Sequence, residues 1–154
     1  MSNTSNETDF RAAIGELDAS AQRELAARFT ENVLDLTDDP RIANGVKVGV
    51  NPDASQAELE ATFKAVKAAT IESHTRCGTE GDWLAQAAYF VSRACEAALA
   101  PEGYKKAGSA IQAATSARMA RTAHSIDNEE EASHGEREAQ YQILNEYLSK
   151  RGLS

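Results

Sequence analysis

Hydrophobic positions recur at helical spacing along most of the chain. Phe10, Ile14 and Leu17 stand four and three residues apart, which places them on one face of a short helix starting at Thr8 or Asp9. Behind an Asp18 or Ser20 cap, Leu25, Phe29, Val33 and Leu36 form a second stripe, with Arg23, Glu24, Arg28 and Glu31 toward water. Asp38-Asp39-Pro40 ends that helix and offers a cap followed by proline at the first helical position. In the next stretch Val46, Val48 and Val50 alternate as in a strand, but Gly45 and Gly49 interrupt either element and a single short strand has no partner. Residues 42–50 are therefore expected to form a short helix or an irregular connection. Ser55-Gln56-Ala57-Glu58 fits a capping box, and Leu59, Phe63, Val66 and Thr70 follow at helical spacing. Gly78 and Gly81 predict a loop over residues 73–81.

The segment from Trp83 to Leu99 is apolar on nearly all sides, the mark of a central, mostly buried helix. Pro101 and Gly103 stop it. An Ala-rich helix is expected from about Tyr104 to Ile126, with Ile111, Thr115, Met119, Thr122 or Ala123, and Ile126 as its larger apolar positions. Asp127 to Glu131 reads as an acidic linker. Ser133-His134-Gly135-Glu136 repeats the capping-box pattern ahead of a last helix carrying Ala139 or Gln140, Ile143, Leu144, Tyr147 and Leu148, ending near Gly152. Residues 1–7 are polar and read as a disordered N-terminal tail, and residues 8–152 as a single helical domain. The expected fold is all-α, an antiparallel bundle of about five to seven helices.

Composition reinforces that reading. Alanine supplies about a fifth of the 154 residues, and it favours helix because it loses no side-chain entropy. β-branched and aromatic residues, the usual material of strands, are sparse. Sixteen basic against twenty-four acidic residues leave a net charge of −8. That balance argues against nucleic acid and anionic membranes as partners, since both select positive surfaces. No apolar run reaches the length of about 18–20 residues that spans a bilayer. The first residues lack the basic and apolar parts of a signal peptide, so a cytoplasmic location is expected, with Cys77 and Cys95 as reduced thiols. Cys95 sits in an apolar helical segment and is expected to be buried, whereas Cys77 falls in the expected loop and should be exposed.

Three segments resemble the YjaG-like family of bacterial all-helical proteins of unknown function. They are Ala87 to Leu99, where an Ala-Cys-x-Ala-Leu-like pattern closes a buried helix, Ala114 to Ile126, a small-residue helix, and Glu136 to Leu148, an acidic amphipathic helix with glutamine beside aromatic and aliphatic positions. The resemblance covers about the last half of the chain. It implies an all-helical fold and carries no established activity or catalytic residue.

Few residues suggest chemistry. Glu131-Ala132-Ser133-His134 has the Glu-x-x-His spacing that puts a carboxylate and an imidazole on one helical face, as in di-iron bundles. Such centres need two of these motifs and two further glutamates, and only one motif is present. Ser133 as a cap would also set Glu131 and His134 on opposite sides of a helix boundary. His74 and Cys77, three apart, are half of a zinc set, and Arg76 or His74 could activate Cys77 as a nucleophile. A polar loop explains both without chemistry. Arg118 and Arg121 share a helical face and could clamp a phosphate or carboxylate. They lie, with Lys105 and Lys106, in a stretch from Tyr104 to Ile126 free of acids, directly before Asp127, Glu129, Glu130, Glu131, Glu136 and Glu138. An ion-pair network between the last two helices, or across a dimer, is the simpler reading. Phosphate-loop, dinucleotide, nucleophile-elbow and His-Glu-x-x-His signatures are absent from the sequence. Trp83 and Tyr89 read as core and interface anchors.

The leading expectation is a non-enzymatic protein-interaction module acting as a homodimer, with room for a partner of basic surface and no cofactor. The alternative is a small-molecule or metal-binding bundle whose site lies near the turn between the last two helices. Its ligand candidates are His124, Glu131 and His134, with Arg118 and Arg121 for an anion.

Overall fold

The computed structural model describes residues 4–80, 82–101, 108–125 and 128–152, with backbone alone for 78–80. Among the described residues there are seven helices and no strand: α1 (Glu7–Gly15), α2 (Ala19–Glu31), α3 (Pro40–Gly49), α4 (Gln56–Glu80), α5 (Trp83–Leu99), α6 (Ser109–His124) and α7 (Glu129–Lys150), with a 3-10 turn at Leu34–Leu36. They form an antiparallel all-α bundle, as the periodicity predicts.

Helix starts follow local capping chemistry. Asn6, Asp18, Asp39 and Asp82 each accept a hydrogen bond from a backbone N–H in the first turn of α1, α2, α3 and α5, which satisfies donors that have no helical partner. Ser55 Oγ accepts from the Glu58 N–H at 3.1 Å ahead of α4. Pro40 opens α3, so of the two alternatives for residues 42–50 the chain takes the helix, burying Ile42, Gly45, Val46, Val48 and Gly49.

Helices α5 and α6 form the central wall of the molecule. On one side Phe10, Ile14, Leu25, Phe29, Tyr141, Leu144 and Tyr147 from α1, α2 and α7 pack against alanines 94, 97, 98, 110, 113 and 114. On the other, Val33, Ile42, Val46, Val66 and Ala69 meet Val91, Cys95, Leu99, Ala117 and Ala120. The buried face of α6 consists of Ala110, Ala113, Ala114, Ala117, Ala120 and Ala123. Methyl side chains at this spacing bring the axes of neighbouring helices close, and the larger Met119 is left outside.

Four expectations are corrected. The loop over 73–81 is instead the last part of α4, which runs to Glu80; one glycine costs a helix only about 1 kcal/mol, and His74 of this segment packs on Tyr89 of α5. The last helix starts at Glu129, not at Ser133, so the acidic linker is in part its first turn, where carboxylates meet the positive end of the helix dipole. The Ala-rich helix starts at Ser109, with Gly108 at its N-cap, and ends at His124; Tyr104, Lys105, Lys106, Ile126 and Asp127 lie outside the described residues. Finally, residues 4–7 of the expected tail are tied down. The Thr4 N–H donates to Asn145 Oδ1 at 2.9 Å, Asn145 Nδ2 donates back to the Thr4 carbonyl at 3.1 Å, and Glu7 opens α1.

Candidate functional site

The residues singled out for chemistry fall mostly on α6 and α7. Arg118 and Arg121, one turn apart, face α7 and the elements beside it. Arg118 donates from Nε to Gln140 Oε1 at 2.7 Å, and its two terminal nitrogens hold both oxygens of Glu7 at 3.0 and 3.1 Å. Gln140, fully buried, donates to the Ala114 carbonyl at 3.0 Å. The Arg118 guanidinium also lies 5.3 Å from the Phe10 ring centroid, a cation–π distance. Arg121 spans three partners: Glu136 at 3.4 Å, both oxygens of Asp35 at 3.2 Å, and the Asn32 carbonyl at 2.8 Å. Asn32 closes the circuit by donating to Glu136 Oε2 at 2.9 Å.

These contacts tune the acids. Burial raises the Glu7 pKa, but hydrogen bonds and charge from Arg118, with further hydrogen bonds from Arg11 and Tyr141, outweigh it and hold the carboxyl below its ordinary 4.5. Hydrogen bonds from Arg121 hold Asp35 below its ordinary 3.8 against partial burial. Burial works against charge on Arg121, yet Asp35 and Glu136 raise its pKa on balance.

Arg118 and Arg121 therefore make internal ion pairs, the reading that the sequence puts ahead of an anion clamp. Arg118 and Arg121 use the geometry that suits a carboxylate, but the carboxylates belong to Glu7, Asp35 and Glu136 of the same chain. The expected pairing of α6 with α7 holds for Arg121 and Glu136. Glu7 and Asp35 come from α1 and the 3-10 turn, 111 and 86 residues away in sequence. No local signal in the sequence points to those two partners.

The metal candidates stand apart from this network. Starting α7 at Glu129 puts Glu131 and His134 on one helix, so the boundary expected between them disappears. Both are nevertheless exposed, as is His124 at the end of α6. His134 Nε2 lies 3.8 Å from Glu138 Oε1 across one turn, and His124 lies near enough to Asp35 to help lower its pKa. Among the described residues no three His, Cys, Asp or Glu side chains are placed to hold a metal ion. The depression at the turn between α6 and α7 is lined by Thr122, Glu129, Glu130, Ser133 and Arg137, and by none of the three candidates. His74 and Cys77 also turn out to share a helix; His74 packs its ring against Tyr89 at 5.4 Å. Cys95 is buried as expected, and burial together with the charge of Glu96 pushes its thiol up to about 12.

The start of α5 departs from the expectation of a mostly buried helix. Its C-terminal part is buried, from Ala87 to Leu99, but Trp83 and Leu84 are 49% and 64% exposed. Ile71 on α4 and Met119 on α6 are also largely exposed. The all-round apolar character of α5 was the signal for this surface, since only part of such a helix is covered by its own chain. No helix among the described residues is long and apolar enough to cross a membrane. Comparison with protein-family models, curated proteins and solved structures finds no match, and nothing in it bears on the resemblance to YjaG-like proteins.

Proposed function

We propose that the chain is a non-enzymatic protein-interaction module that pairs with a second copy through the start of α5. The observation that carries this reading is the adjacent exposure of Trp83 and Leu84 at the start of a helix capped by Asp82. Large apolar side chains leave water at a favourable free energy of about 1.5–3 kcal/mol each when fully covered, and tryptophan and methionine are enriched where proteins meet. Support also comes from the groups that could do chemistry. Arg118 and Arg121 are engaged in internal carboxylate clamps, and the Cys95 thiol is buried and far from thiolate at neutral pH. The net charge of −8 suits an additional partner with a basic surface, and Cys77 and Cys95, not joined in a disulfide, suit the reducing cytoplasm.

The test is light scattering on size-exclusion fractions of the full chain. The expected result is a particle of twice the 16.5 kDa chain mass that dissociates on Leu84→Glu or Trp83→Glu with unchanged helical content. A wild-type monomer at every accessible concentration overturns self-association; a dimer indifferent to both substitutions overturns the assignment to α5.

A further inference from the structure

Arg28 on α2 has no counter-ion among the described residues. Its Nε is buried with no acceptor, and no carboxylate pairs with its guanidinium. Of its helical neighbours, Glu31, three residues on, makes no ion pair with it, and the two at one turn's distance are engaged elsewhere. Glu24, one turn before, accepts from the Tyr147 hydroxyl at 3.3 Å and faces Arg151 at 3.9 Å. Asn32, one turn after, is held by Glu136 and Arg121. Arg28 instead lies 6.0 Å from the Tyr147 ring centroid, so packing and the ring face hold it in place.

Arg28 lines a groove of about 300 Å³ between α2 and α7, whose wall includes Ile143 and Tyr147 and whose rim carries Glu31, Glu146 and Lys150. None of these three rim charges makes an ion pair among the described residues. The volume stands at the small end of ligand sites. A positioned, unpaired guanidinium calls for a carboxylate, while two unpaired carboxylates at the rim repel a simple anion and attract a cation.

We infer that this groove binds a small zwitterion of the α-amino-acid class, its carboxylate on Arg28 with Lys150 behind it and its ammonium toward Glu31 and Glu146. The site does not include Trp83 or Leu84 and does not depend on self-association.

Titration of the ¹⁵N-labelled full chain with L-alanine, followed by amide chemical shifts, tests this, with acetate and methylammonium as the two halves of the probe. Saturable shifts confined to the facing stretches of α2 and α7 are expected with L-alanine. Each half should bind at least about tenfold more weakly, because joining them makes the second contact intramolecular. Arg28→Met, which keeps the stem over Tyr147, should weaken L-alanine at least about tenfold. Glu146→Gln at the exposed rim should weaken L-alanine about threefold while leaving acetate unweakened; it carries the test if Arg28→Met loses helical content. Absence of saturable shifts, acetate binding as tightly as L-alanine, or L-alanine binding that survives either substitution overturns the inference.

Discussion

At position 45 the helix α3 touches its neighbours with no room for a side chain. A Cβ there would stand 2.5 Å from Cys95 Sγ and 2.8 Å from Val66 Cγ2, and at Gly49 one would stand 2.8 Å from Ala27 Cβ. The two glycines, one turn apart, let α3 approach α5 and α2, which accounts for residues that weaken an isolated helix being placed inside one. Gly135 differs: it lies within α7, and a Cβ added there would meet nothing within 4 Å. Gly45→Ala is therefore expected to destabilise the fold by about 1–3 kcal/mol through overcrowding, even though alanine is the better helix former. Gly135→Ala should stabilise by about 0.5–1 kcal/mol through helix propensity alone. Urea unfolding of the two variants measures both, and equal effects would contradict the close approach.

Between elements, small side chains and buried polar groups divide the task. The alanine face of α6 gives proximity to α5, while Gln140 fixes how α7 lies across α6, because it bonds at once to Arg118 and to the Ala114 carbonyl. Gln140→Leu fills similar space but leaves the part-buried Arg118 Nε without its acceptor and strips the Ala114 carbonyl of its second hydrogen bond, the one beyond its own helix. It is expected to cost about 1–3 kcal/mol, with amide-exchange protection falling along α7. Arg118 extends the same junction to α1 through Glu7, whose partner Tyr141 donates its hydroxyl at 3.2 Å. Helices α1, α6 and α7 are thus joined through two side chains, and retained protection of α7 in Gln140→Leu would show that apolar contacts alone seat it.

For the whole molecule, these junctions make stability sensitive to acid. Glu7, Asp35 and Asp39 all have pKa values held below their ordinary 4.5 and 3.8 by arginine contacts. A depressed carboxyl contributes stability that is present above its unfolded pKa and lost as pH falls through its folded pKa. The urea midpoint is expected to be flat near neutrality and to decline below about pH 4.5, where the unfolded carboxyls begin to take up protons. Glu7→Gln should lower the neutral-pH midpoint and make the acid decline shallower. An unchanged decline in that variant would mean the α1–α6 clamp contributes nothing measurable.

Short-range patterns in the chain were enough for the class of fold and most of its helices. Caps such as Asp18 and Asp39, the spacing of Phe10 and Ile14 or Leu25 and Phe29, and the abundance of alanine act within a few residues, so they are legible without a partner. The same patterns marked Arg118 and Arg121 as a pair on one face. What the two arginines bind depends on packing, because Glu7 and Asp35 reach them only after α1 and the 3-10 turn are in place. The end of α4 and the start of α7 follow the same logic: Gly78 and Ser133 carry local stop and start signals, but continuous packing and a favourable first turn at Glu129–Glu131 override them. Exposure of Trp83 and Leu84, and the unpaired state of Arg28, depend on which surfaces the rest of the chain covers and which counter-ions it has already engaged. Both are sums over distant neighbours, and no window of sequence contains those neighbours.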